Sequence, residues 1–303
     1  MDQLATMGKA GETVPAMEDL EQILHCLKSM PEPPKEISVW VKELHCLISK
    51  ILRSPPNRLD DTYRKTSFEL IRELFTLFGC RWLEGDQQLL SLIAHLVTAQ
   101  LRILLDNPTK IDSEQLTACC SIEEECIRSI EDEEAFDLDE ATATTMSITC
   151  REAVVFVTDY WGQSKESEEE LPVEVECVIY RLVCVFLSIG GAEIMKKDDL
   201  KKICPHLIRI CWTAVEKEDF EVARQLICVL HELPFLDSTV LNMLTSFVKI
   251  ATDDKTEALN LVESIVDILK DRADWYDKES LQNAVKFAKE AQYTNLSHFL
   301  AMV

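Results

Sequence analysis

Apolar residues along this chain recur every three or four positions, the spacing of one face of an α-helix. The densest case lies between Phe68 and Asp106. Phe68, Ile71, Leu74, Phe75 and Phe78 form one stripe, and Leu89, Leu92, Ile93, Leu96, Val97, Leu101 and Leu104 form another. The two predicted helices, near 60–79 and 86–106, meet across Gly79-Cys80-Arg81-Trp82-Leu83-Glu84-Gly85. Gly79 is placed to end the first in a left-handed conformation, and Asp86 to start the second. So apolar a pair cannot bury its surface alone, and it calls for further pairs on either side.

The rest of the chain supplies them. A helix is expected over 17–30, with Leu20, Ile23, Leu24 and Leu27 on one face, ended by Pro31, Pro33 and Pro34. A second, over 36–53, stops at Pro55 and Pro56. The stretch 113–130 is amphipathic, with Leu116, Cys119, Cys120, Ile127 and Ile130. Helices follow over 142–161 and 173–189, the latter apolar on nearly all sides and expected to be the most buried. Gly190-Gly191 breaks it. A helix over 200–215 follows Asp198 and Asp199, kinked or restarted at Pro205. Four more are expected over 220–233, 238–252, 256–273 and 278–291. Residues 1–16 are polar, with Gly8, Gly11 and Pro15, and read as a disordered N-terminal segment. With no convincing strand, the expected fold is all-α. Residues 17–303 are expected to form an α-solenoid of antiparallel helix pairs, armadillo/HEAT-like, because pairs of roughly 35–45 residues are the unit of such arrays.

Two acidic loops interrupt the series. One, near 131–140, carries Glu131, Asp132, Glu133, Glu134, Asp137, Asp139 and Glu140; the other, near 164–170, carries Glu168, Glu169 and Glu170. Like charges this close repel, so exposed, mobile loops are expected, able to recognise a basic partner. The carboxylates at 123–125 read as solvated in the same way. None of these runs has the alternating oxygen ligands and central glycine of a calcium loop.

The formal net charge of -23 opposes contact with nucleic-acid backbones, so no nucleic acid is expected among the partners. The 12 cysteines fall mostly in apolar helical runs, where free thiols behave as small hydrophobes. No leader-like apolar run occupies residues 1–18, which points to thiols in a reducing compartment. The most apolar window, 177–192, contains Arg181 and is too short to span a bilayer, so no transmembrane segment is expected.

Candidate chemistry is sparse. Gly8-Lys9-Ala10-Gly11-Glu12-Thr13 lacks the spacing of a phosphate-binding loop. His25-Cys26, His45-Cys46 and Cys204-Pro205-His206 lie in leucine-rich helices rather than metal-binding knuckles, and read as core or half-buried residues. No catalytic residue, metal site or cofactor is expected. A Cys–His enzyme remains the contrasting class, and it requires at least one low-pKa thiolate. Trp82, Trp161, Trp212 and Trp275 stand near helix ends, where they lock one helix pair to the next.

The stretch FELIRELFTLFGCRWLEGDQQLLSLIAHLVTAQLRILLD resembles a segment of the neurochondrin family, through Gly79, Trp82, Leu90 and Arg102. LPVEVECVIYRLVCVFLSIGGAEI followed by LKKICPHLIRICWTA resembles the same family in the same order, through Arg181, Leu182, Pro205 and Leu207. Between them lie an acidic linker and a helix like AVVFVTDYW. The likeness covers roughly residues 60–215. It implies a non-enzymatic armadillo- or HEAT-like protein of the cytosol, neuronal projections or endosomes, with peripheral membrane association. It further implies roles in neurite outgrowth, nervous-system development and signalling. The partners implied are receptor cytoplasmic tails, a calmodulin-dependent kinase and a Rab-type GTPase. The function expected is that of an interaction scaffold. The alternatives are a helical architectural subunit of a larger complex and, less favoured by the residues, a Cys-dependent enzyme.

Overall fold

The computed structural model describes residues 15–30, 39–55, 60–106, 111–132, 136–166 and 171–233, together with 279, 282–283 and 286. Most of the expected disordered start and the helices predicted over 238–252 and 256–273 lie outside the described residues. Of the helix expected over 278–291, Glu279, Gln282, Asn283 and Lys286 are described, and they are helical and exposed. The described residues are helical with no strand, so the all-α expectation holds. In order, they form α1 (Met17–Lys28), α2 (Val39–Leu52), α3 (Asp61–Phe78), a 3-10 turn (Gly79–Leu83), α4 (Gln87–Leu105), α5 (Ser113–Glu131), α6 (Glu140–Glu166), α7 (Val173–Ser188), α8 (Gly191–Ile194), α9 (Lys197–Glu216), α10 (Phe220–Ile227) and a second 3-10 turn (Leu230–Glu232). The chain divides into two compact units, one of Met1–Tyr160 with Leu171–Leu182, the other of Trp161–Glu170 with Val183–Val303.

The first unit is built on α3. Asp60 caps it by accepting a hydrogen bond from the Tyr63 amide at 2.7 Å. Phe68, Ile71, Leu74, Phe75 and Phe78 are all buried, as their spacing predicted. They pack against α1 on one side and α5 on the other. The joint to α4 differs in detail from expectation. Gly79 has φ +55° but ψ −147°, outside the left-handed helical region. The left-handed residue is Glu84, followed by Gly85 at φ +81°. The intervening 3-10 turn turns Cys80, Trp82 and Leu83 inward, and Trp82 is fully buried. Phe75 meets Trp82 edge-on at 5.4 Å and Trp40 of α2 meets Phe78 at 5.8 Å, the favoured geometry of aromatic pairs. Asp86 caps α4 as predicted, accepting from the Leu89 amide at 2.9 Å.

In the second unit, Gly190 takes the left-handed conformation at φ +77°, and Gly191 sits against the ring and carbonyl of Phe186, where no Cβ fits. Helix α9 runs through Pro205 without restarting, with that ring exposed. It packs on α10, and the Cys211 thiol faces the Ala223 carbonyl at 3.6 Å. The helix expected over 220–233 ends at Ile227 and gives way to the second 3-10 turn.

Helices α6 and α7 correct two further expectations. Helix α6 extends from Glu140 to Glu166, so Ser164, assigned to an acidic loop by its sequence, is helical and buried, its hydroxyl donating to the Trp161 carbonyl at 2.8 Å. Helix α7 is not apolar all round: Val173, Glu174, Cys177 and Arg181 are exposed along one stripe, and only Leu182 to Leu187 is buried on every side.

Candidate functional site

Acidic residues were the sequence-level candidates. Glu131 closes α5, Glu140 opens α6, and Glu131, Asp132, Asp137, Asp139 and Glu140 are all exposed. The described part of this connection is anchored rather than loose. Phe136 is buried, the Gln87 amide donates to the Asp137 carbonyl at 2.8 Å, and Gln87 Oε1 accepts from the Asp139 amide at 3.1 Å. Asp139 accepts from both the amide and the hydroxyl of Thr142, which holds its carboxyl below the usual range. Glu133, Glu134, Glu168, Glu169 and Glu170 lie outside the described residues.

A surface that sequence reading missed lies along the outer face of α4. Ile103 is 62% exposed there. A cavity of about 180 Å³ opens on one side of it, between Ile51 and Leu52 of α2, Phe68 of α3, and Leu96, Ala99 and Ile103 of α4. Arg64, Ser54, Ser67 and Gln100 supply its polar rim. On the other side a broader hollow of about 500 Å³ is lined by His95, Arg102 and Ile103 of α4 and by Thr145, Ile148, Thr149 and Glu152 of α6. Arg102 pairs with Glu152 at 3.0 Å and His95 Nε2 lies 3.2 Å from the Thr149 hydroxyl. Ile148 is 46% exposed beside them. The signal in the sequence was Ile103 itself, an apolar residue off the predicted stripe of Leu101 and Leu104; the structure shifts that stripe, burying Leu90, Ala94 and Leu105 and leaving Leu92, Leu96 and Leu104 half-buried. By length and composition α4 could cross a membrane, yet half of it is buried against its neighbours.

The carboxylates at 123–125 are the clearest correction. They are helical, not a solvated loop, and Glu123 and Glu124 are buried. Arg181 Nε donates to Glu124 at 2.8 Å, and Arg128 stands 3.8 Å from the same oxygen. Burial pushes the Glu124 carboxyl up to about 6, with Arg181 and Arg128 pulling against it. Glu123 has no such relief. Neither of its oxygens has a hydrogen-bond partner of good geometry, and burial pushes its carboxyl up to about 7. The nearby Cys150 thiol pulls only weakly the other way. At the start of α5, Lys65 reaches Asp112 at 2.9 Å and Glu114 at 3.0 Å. Burial works against the Asp112 carboxylate, but the Lys65 hydrogen bond holds it below the usual range.

Five cysteines of the first unit lack the character of an activated thiolate. Cys80, Cys119, Cys120, Cys126 and Cys150 are buried, and burial raises the pKa of each, the opposite of an activated thiolate. Cys46, Cys177 and Cys228 are exposed, contrary to the apolar context of the latter two. No group of His, Cys, Asp and Glu side chains suited to a metal occurs among the described residues. Cys26, His45 and His206 are half-buried, Cys204 is buried and His25 is exposed. His45 packs edge-on to Trp82 at 6.4 Å, and His206 faces Trp161 at 5.6 Å. Trp161, like Trp82, is fully buried; Trp212 is half-buried and Trp275 lies outside the described residues.

No curated protein and no solved structure matches the chain. The model of the Neurochondrin family matches residues 9–276, well beyond the 60–215 over which the resemblance was read. With most of its length matched, the chain belongs to the neurochondrin family.

Proposed function

We propose that this neurochondrin-family chain is a non-enzymatic interaction scaffold of α-solenoid type. It binds partners by shape along exposed helix faces, while its acidic surface favours basic segments. The observation that carries this reading is the outer face of α4, where exposed Ile103 separates two hollows walled by α2, α3 and α6. Exposed apolar side chains set between polar rims are the usual form of a protein-binding surface. Following what the resemblance implies, the proteins proposed as bound are receptor cytoplasmic tails, a calmodulin-dependent kinase and a Rab-type GTPase. The processes proposed on the same resemblance are signalling and neurite outgrowth, in the cytosol and at membranes reached peripherally.

The test is binding of basic receptor-tail peptides to the full chain at rising ionic strength, beside Ile103→Glu and a charge-reversed set at Glu131, Asp132 and Asp137. The expected result is weaker binding once salt exceeds ~0.15 M, and loss of binding in Ile103→Glu. Salt-independent binding removes the electrostatic half of the proposal. Unchanged affinity in a folded Ile103→Glu removes the α4 surface.

A further inference from the structure

Glu123 lies in phase with the buried stripe of α5. It is four residues after Cys119 and four before Ile127, and its side chain is fully enclosed. A carboxylate accepts hydrogen bonds and donates none, so it needs donors or a cation when removed from water. Glu124, the next residue, has both in Arg181 and Arg128. The groups around Glu123 are thiols: Cys119, Cys120 and Cys126 on its own helix, and Cys150 on α6.

The charged groups of neighbouring elements are engaged elsewhere. On α3, Lys65 is held by Asp112 and Glu114, Arg64 by Asp61, and Arg72 by Glu73. On α4, His95 contacts Thr149 and Arg102 pairs with Glu152 of α6. In the 3-10 turn, Cys80 is buried near Cys126, and Arg81 donates to the Phe78 carbonyl. On α7, Arg181 is committed to Glu124.

We propose that Glu123 is a proton-operated latch in the first unit: protonated, it lets α5 stay sealed against the Cys150 face of α6, and ionised, it loosens that seal. The sign follows from linkage. A carboxyl whose folded pKa lies above its unfolded value contributes its full stability below the unfolded value of about 4.5. That contribution falls as pH rises toward the folded value of about 7. Between pH 6 and 8 the folding constant therefore drops by about tenfold on account of this group. The window brackets ordinary intracellular pH, so the latch converts modest pH changes into changes in the packing of α5.

The experiment is urea unfolding of the full chain at pH 6 and pH 8, wild type beside Glu123→Gln. The amide is near-isosteric and carries no charge. The expected result is that the variant is more stable than wild type at pH 8, and that its advantage shrinks by about tenfold in equilibrium constant at pH 6. A constant difference between the two proteins at both pH values means a structural role only and overturns the latch. If Glu123→Gln does not fold, the side-chain carboxyl carbon of Glu123, followed by NMR in the wild-type protein, decides. A midpoint between pH 6 and 8 supports the proposal, and one near 4.5 overturns it.

Discussion

Replacing Arg181 with methionine keeps the apolar stem of the side chain but removes the guanidinium from Glu124. The bond lost is 2.8 Å long, and its acceptor is a carboxylate whose side chain is only 2% exposed. A hydrogen bond to a charged group contributes ~1.5–3 kcal/mol. Arg181 is half exposed and screened by water, and Arg128 remains 3.8 Å from the same oxygen, so the lower end applies. The expected loss is about 1–2 kcal/mol at pH 8, where Glu124 is ionised. It shrinks as pH falls below about 6, because the carboxyl then protonates and no longer needs the cation. Urea unfolding of a double-mutant cycle with Glu124→Gln isolates the pair. A coupling below ~0.3 kcal/mol at pH 8, or one equal at pH 5 and pH 8, refutes the assignment of the Arg181 contact as the support of a buried charge.

Trp82→Ala should destabilise the first unit by ~3–5 kcal/mol, read as a lowered urea midpoint, because the indole is fully enclosed by α2, α3 and the 3-10 turn. Gly191→Ala should cost the second unit ~1–3 kcal/mol, since a methyl there meets the ring and carbonyl of Phe186; an unchanged thermal midpoint would contradict that packing. Under native conditions, mild alkylation at neutral pH should label Cys46, Cys177 and Cys228 first and leave Cys119, Cys120, Cys126 and Cys150 nearly untouched, as peptide mapping by mass spectrometry would show.

Helices were legible because their signals are local. The apolar period of α1, α3 and α5, the carboxylate cap at Asp86, and the break at Gly190 each act over a few residues. Where boundaries moved, a tertiary contact outweighed the local signal. The charges expected to open a loop after Trp161 did not stop α6, which carries buried Ser164 within it. The joint after Phe78 became a 3-10 turn because that path carries Trp82 into the aromatic cluster with Phe75.

Sequence by itself determined the helical class, the apolar stripes of α1 and α3 and the family, since periodicity and ordered packing motifs are written along the chain. It read Glu123 and Glu124 as solvated with the rest of the acidic run, and the structure buries both. Only the tertiary structure decided which off-stripe residues stay uncovered, and so made Ile103 a surface feature, while Cys119 and Cys120 are buried as their stripe predicted. It also decided that of two adjacent glutamates, one meets the guanidinium of Arg181 and the other meets thiols. Arg181 is 57 residues away from Glu124, and no local pattern encodes which distant side chain arrives beside a buried charge.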